Sequence, residues 1–207
     1  MVWSSRSHSE EPLAASSTVR KSVQDWSVDG KWFLATLVNN DTDRVEIWLM
    51  PAVATGHAGP QARKIISDPA YDLYQARFSP DGRWIVFQAV KYSPLESNLY
   101  VMPAAGGPWT LISEGKPWDD KPRWSPDGKT IYFVSARGGF FNVRGIRFDS
   151  TSGKPVGETF RVTAFDSPGL MIPDSIPLVE LSLTEDKLVL TMEERSGSIW
   201  VLDNVGP

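Results

Sequence analysis

Apolar residues along the chain fall into short continuous runs: Ile85-Val86-Phe87, Leu99-Tyr100-Val101-Met102 and Ile131-Tyr132-Phe133-Val134. Runs of this length between turn-forming residues predict strands, and continuity rather than alternation predicts strands covered on both faces. Ahead of the first run stands Phe78-Ser79-Pro80-Asp81-Gly82-Arg83-Trp84. Pro80 presets φ for a tight turn, Asp81 can bond back to the nearby backbone, and Gly82 tolerates the positive φ that ends such a turn. The stretch from Phe78 to Pro103 therefore reads as strand, tight turn, strand, loop, strand. The loop, Lys91 to Ser97, is the longest connector inside any hairpin here.

The same unit recurs. An earlier copy is Trp26-Ser27-Val28-Asp29-Gly30-Lys31-Trp32, with a third strand at Val45–Met50. A later one is Trp124-Ser125-Pro126-Asp127-Gly128-Lys129-Thr130, followed by Asn142–Phe148. A worn copy, Leu181–Leu190 and Ile199–Asp203, has lost both Pro and Gly at its turn. Aligned on Asp29, Asp81, Asp127 and Thr184, the turns lie 52, 46 and 57 residues apart. A period near 50 with about four strands per unit predicts a β-propeller. Pro51 and Pro103 end third strands, since Pro donates nothing to a ladder. Short fourth strands then fit at 62–67, 109–113 and 159–163. The competing fold is a two-layer β-sandwich with similar hairpins.

The expected architecture is one all-β domain of about four four-stranded antiparallel blades, forming either a closed or a partial propeller. Residues 1–17 end a preceding blade or supply a closing strand, 18–67, 68–113 and 114–163 are blades, and 164–207 form the last, degraded blade. Val2–Ser5 and Glu11–Ala15 resemble the third and fourth strands of a blade whose first half is absent. Two readings follow, circular closure by an N-terminal strand or the C-terminal portion of a larger propeller.

At 207 residues, roughly 70% of the unfolded chain's surface can be buried, so a single domain is feasible. There is no Cys, which excludes a disulfide framework and thiolate metal sites but not any compartment. A formal net charge of −4 argues against nucleic acid, whose phosphates want a basic face. No apolar run reaches the roughly 18 residues that direct membrane insertion needs, and no secretory signal is read at Met1–Arg6. The compartment stays open, cytoplasmic as the chain stands or extracytoplasmic within a longer exported protein.

Phe78-Ser79-Pro80-Asp81-Gly82, Trp124-Ser125-Pro126-Asp127-Gly128 and Leu99-Tyr100-Val101-Met102-Pro103-Ala104-Ala105-Gly106-Gly107 resemble the TolB-like, WD-type repeats of bacterial propellers. The likeness is strong over about residues 18–150 and weaker over the last 60. It implies an interaction platform, as in periplasmic translocation components or the C-terminal sensory and scaffolding regions of bacterial kinases and regulators. Related propellers cap serine peptidases or form polysaccharide lyases. The chain departs from the pattern in its few repeats and its worn fourth turn.

Candidate chemistry is thin. Asp29, Asp81 and Asp127, with Gly30, Gly82 and Gly128, are read as structural turn residues, placed in different blades where carboxylates do not converge. The two histidines, His8 and His57, lie in loop-like surroundings without a partner at helical spacing, and no GxSxG elbow exists. Asn39-Asn40-Asp41-Thr42-Asp43 crowds oxygens but supplies too few carboxylates for Ca²⁺, so an Asx-type turn is expected there. Gly106-Gly107 and Gly138-Gly139 lack the Lys-Ser/Thr of a phosphate loop. Neither a catalytic residue, a metal nor a cofactor is therefore expected.

Among the nine tryptophans, Trp32, Trp48, Trp84 and Trp200 are expected between blades, and Trp109 and Trp118 partly exposed. Aromatic side chains beside charges are common anchors of interfaces and equally suit sugar rings. Segments entering the innermost strand of each blade reach the channel mouth, which nominates Arg20, Lys21, Gln24 and Asp72. The candidate rim residues chosen for binding are Tyr74, Tyr92, Trp118, Asp119, Asp120 and Lys121. The expected function is a non-catalytic module for a protein or peptide partner, an upstream domain of the same gene product included. The alternative is a carbohydrate-active or peptidase-associated propeller fragment.

Overall fold

The computed structural model of the chain describes residues 2–4, 9–11, 21–52, 61–113 and 118–197. A short antiparallel hairpin pairs β1 (Val2–Ser4) with β2 (Ser9–Glu11). Three four-stranded antiparallel sheets follow, each in sequence order. The first is β3 (Lys21–Trp26), β4 (Trp32–Asn39), β5 (Arg44–Pro51) and β6 (Arg63–Ile66). The second is β7 (Asp72–Phe78), β8 (Trp84–Tyr92), β9 (Leu95–Pro103) and β10 (Thr110–Ser113). The third is β11 (Asp119–Trp124), β12 (Thr130–Ser135), β13 (Asn142–Asp149) and β14 (Lys154–Arg161).

A reduced unit closes the described chain. β15 (Leu170–Met171) pairs with β18 (Glu193–Glu194), while β16 (Leu181–Leu183) pairs with β17 (Leu188–Leu190). A single 3-10 turn at Ile176–Leu178 precedes β16. First strands neighbour one another in sequence, β3 against β7, β7 against β11 and β11 against β16, so they form the inner edge of a propeller arc. No helix among the described residues is long and apolar enough to cross a membrane.

The turns explain why the sheets begin where they do. In the second sheet Ser79 Oγ donates to Asp81 Oδ1 at 2.6 Å, and that oxygen accepts from the Arg83 backbone N–H at 3.0 Å. Ser79 Oγ in turn accepts from the Trp84 N–H at 2.9 Å. The first and third turns repeat this with Ser27, Asp29 and Trp32, and with Ser125, Asp127 and Thr130. Gly30, Gly82 and Gly128 close the three turns at φ of 67°, 70° and 69°.

The worn turn corrects the sequence alignment. Thr184 Oγ1 donates to Asp186 Oδ1 and accepts from the Lys187 N–H, both at 3.0 Å. Thr184 therefore takes the serine's place and Asp186 the aspartate's. Because the connection is shorter, no residue is left to supply the Gly.

Two further expectations change. The predicted Lys91–Ser97 loop is mostly strand, because β8 and β9 stay paired out to Tyr92 opposite Leu95. The last strand of the third sheet begins at Lys154 rather than near 159. The hairpin at 39–43 is the expected Asx turn, with Asn39 Oδ1 accepting from the Asp41 and Thr42 N–H groups at 2.9 and 3.3 Å. His8, Arg20, His57, Trp200 and the strand expected at 199–203 lie outside the described residues, as does most of Glu11–Ala15.

Core packing lies between sheets. Leu34, Ile47, Leu73, Ile85 and Phe87 join the first sheet to the second, and Val86, Leu99, Ile131 and Phe133 join the second to the third. Val134, Val143, Ile172 and Leu181 join the third to the reduced unit. Ile85, Val86 and Phe87 are consecutive yet all fully buried, since alternate side chains enter different interfaces. Each such burial contributes about 1.5–3 kcal/mol. Trp84 stacks edge-on to Phe148 across the second interface, and Trp109 meets Phe87 with centroids 4.9 Å apart.

Candidate binding site

The inner strand of each four-stranded sheet carries a bulge at the same place. Register shifts fall between Val23 and Asp25, Tyr74 and Arg77, and Asp120 and Arg123. Gln75 and Lys121 pass through these bulges with φ of 54°, left-handed backbone that costs a non-glycine residue about 1–2 kcal/mol. A bulge re-aims side chains, so the residues before it face one mouth of the arc and those after it face the other.

At the first mouth a cavity of about 510 Å³ separates the inner strands of the first two sheets, lined by Lys21, Gln24, Thr36, Asp72, Tyr74 and Gln75. Asp72 is buried, accepting from the Val45 N–H at 3.0 Å with the Arg44 guanidinium 3.8 Å away. It therefore ties one sheet to the next instead of facing a ligand. Tyr74 and Tyr92 do come together, their hydroxyls 3.4 Å apart. Burial, and then the neighbouring Tyr92 hydroxyl, push the Tyr74 phenol well above its ordinary value, so it serves as a neutral hydrogen-bonding group. Tyr92 itself is 57% exposed.

Trp118, Asp119, Asp120 and Lys121 form a second group, and here the rim expectation is corrected for the last three, while Trp118 is half-buried as expected. Asp119 is fully buried, with Asp120 and Lys121 nearly so. The Asp119 carbonyl accepts from Ser97 Oγ at 2.5 Å and Gln88 Nε2 at 3.3 Å, so side chains of the preceding sheet cover it. Its Oδ2 accepts from Arg137 at 3.0 Å. Desolvation pushes the Asp119 carboxyl up, against the Ser135 and Ser113 hydroxyls and the Arg137 and Arg144 charges. Asp120 is also raised by burial, opposed by the Lys121 charge and by the Trp118 indole, which donates to Oδ2 at 3.1 Å. The Asp120 carboxylate thus orients half-buried Trp118, while that of Asp119 is engaged by Arg137.

Gln88 links the two groups. It stands opposite Tyr74 in the ladder and reaches Asp119 and Ser97 with its amide. Sequence reading missed Gln88, Ser97 and Arg137, because nothing local to them signals contact with a residue 18 to 31 positions away. The turn aspartates Asp29, Asp81 and Asp127 sit beyond the other mouth, each held in its own turn. No group of three or more His, Asp or Glu placed to hold a metal occurs among the described residues.

The sequence matches a known family model, the TolB beta propeller domain, over residues 13–202. The chain belongs to the TolB β-propeller domain family. A curated relative, the uncharacterized protein Atu1656 of Agrobacterium fabrum, is 26% identical over 170 residues, covering 62% of this chain and 55% of that protein. Among solved structures, TolB from Acinetobacter baumannii superposes with a TM-score of 0.57 at 20% identity, over 92% of this chain and 44% of that one. The β-propeller domain of the Trilobed protease from Pyrococcus furiosus, described as an open velcro topology, gives 0.53 at 18%, over 83% and 48%. The chain spans about half the length of the relatives it matches.

Proposed function

We propose that this TolB-type propeller is a non-catalytic binding module that presents the first mouth of its arc to a protein or peptide partner, an adjoining domain of the same gene product being one such partner. The observation that carries this reading is the pairing of Tyr74, on the wall of a cavity of about 510 Å³, with the exposed Tyr92, and of Trp118 with Asp120 at the start of the next sheet's inner strand. Large aromatic side chains held rigid by their neighbours suit interface anchors, because little side-chain entropy is lost on docking. The buried Asp120 acts through orientation of Trp118.

The test is capture of partners from the source cell's extract by purified chain, followed by alanine at Tyr92 and Trp118. Each substitution should weaken capture roughly tenfold or more, a hot-spot loss of about 1.4 kcal/mol or larger, and leave the melting temperature within a few degrees. Capture unchanged by both substitutions would remove the site. Turnover of a chromogenic peptide or an oligosaccharide by the chain alone would replace the reading with the peptidase-associated or carbohydrate-active alternative.

A further inference from the structure

The opposite end of the inner strands holds an arrangement that the rim does not use. Asp25, Arg77 and Arg123 occupy one register position in three successive sheets, paired across the ladder with Leu34, Val86 and Tyr132. Each precedes the aromatic residue that enters the turn, Trp26, Phe78 or Trp124. Two like charges therefore stand side by side on the inner edge. Burial and then the Arg77 charge push the Arg123 guanidinium down to about 10.

The carboxylates nearby neutralise this pair incompletely. Asp25 Oδ2 is committed to the Phe78 N–H at 2.8 Å, holding the first sheet to the second. Glu180 approaches Arg123 at 3.6 Å from a side chain that is 72% exposed. Of the five N–H donors on each guanidinium, Arg77 places one on the Ala76 carbonyl and Arg123 one on the Pro122 carbonyl. Donors remain for an incoming acceptor.

Both arginines line a cavity of about 290 Å³ together with Trp26, Val28, Phe78 and Pro80. Trp26 is 41% and Val28 69% exposed, an apolar collar around a cationic floor. We propose that this cavity takes the C-terminal carboxylate of a peptide, Arg77 and Arg123 gripping the carboxylate and the collar receiving the last side chain. Guanidinium pairs match a carboxylate's two oxygens in geometry as well as charge. A polyanion is disfavoured because Asp25 and Glu180 flank the floor and the collar is apolar. A chain end brings one charge beside one side chain, which is what the volume and the collar accept. The site is separate from the aromatic rim, so it stands or falls independently of the function proposed there.

The test uses three tripeptides with acetylated N-termini titrated into the full chain, followed by calorimetry and Trp emission. They are Ala-Ala-Leu as free acid, the same peptide amidated, and amidated Ala-Glu-Leu. The free acid should bind at least about tenfold more tightly than its amide, in keeping with charge-assisted hydrogen bonds. R77Q and R123Q should each remove most of that preference, while W26A should weaken acid and amide alike. Melting curves show which variants are folded, and R77Q with W26A suffice if R123Q is not. Acid and amide binding within twofold of each other, or a preference that survives R77Q, would overturn the site. Equal binding of amidated Ala-Glu-Leu and the free acid would overturn the assignment to a chain end.

Discussion

Removing the Asp119 carboxylate separates a structural from a recognition role for the acidic pair beside Trp118. Asp119 is fully buried and its Oδ2 receives Arg137 at 3.0 Å, the arginine side chain being 23% exposed. Breaking a buried ion pair by deleting one partner costs about 3–5 kcal/mol, because the other charge stays desolvated. Arg137 is partly solvated and keeps Thr159 Oγ1 at 3.4 Å, so Asp119→Ala should cost about 2–3 kcal/mol, at or below the bottom of that range. For a chain of this size that lowers Tm by about 4–12 °C. Thermal and urea denaturation of D119A, R137A and the double variant measure the cost and its coupling. The pH arm uses Asp119→Asn. Because burial raises the folded carboxyl above its ordinary 3.8, the wild type loses stability as pH climbs from that value through the raised one. D119N should therefore gain on the wild type across that window. A D119A protein that melts within 1–2 °C of wild type but no longer captures partner would refute the reasoning, since Asp119 would then be a contact group.

Three other substitutions test the packing and the turns. A Cβ at Gly153, where φ is +69°, would lie 2.2 Å from the Trp84 ring, whereas Gly157 at φ +72° has nothing within 4 Å. Gly153→Ala should thus cost about 2–4 kcal/mol and shift Trp emission, against about 1 kcal/mol for Gly157→Ala, and equal Tm losses would contradict the contact. Asp81→Ala removes the acceptor of Ser79 Oγ and the Arg83 N–H, for about 1–2 kcal/mol with no effect on peptide or partner binding. Burial raises the Asp81 carboxyl, but the bonds from Ser79 and Arg83 hold it below 3.8 overall. Its contribution is therefore full only well above 3.8 and fades as pH falls through the lowered value, so D81A and wild type should converge in strong acid. A difference that persists at low pH would contradict this.

Local chemistry was legible before any coordinates. Ser, Asp and Gly at fixed offsets build their turn from neighbours two to five residues away, so three turns and the strands leaving them follow from the local sequence alone. Apolar continuity at 85–87 and 131–134 likewise announced strands buried on both sides. The aligned copies also contained the charged column Asp25, Arg77 and Arg123, readable as the residue before each Trp-Ser or Phe-Ser pair. What lay beyond reach was which charges face water. Asp119 and Asp120 look like a solvated loop beside Trp118, yet Gln88 and Ser97 of the neighbouring sheet cover them. That burial depends on how one blade leans on the next, across 22 to 31 residues of chain. Turn geometry is a property of a few adjacent residues, whereas desolvation is a property of whatever packs from outside, and only the tertiary structure supplies it.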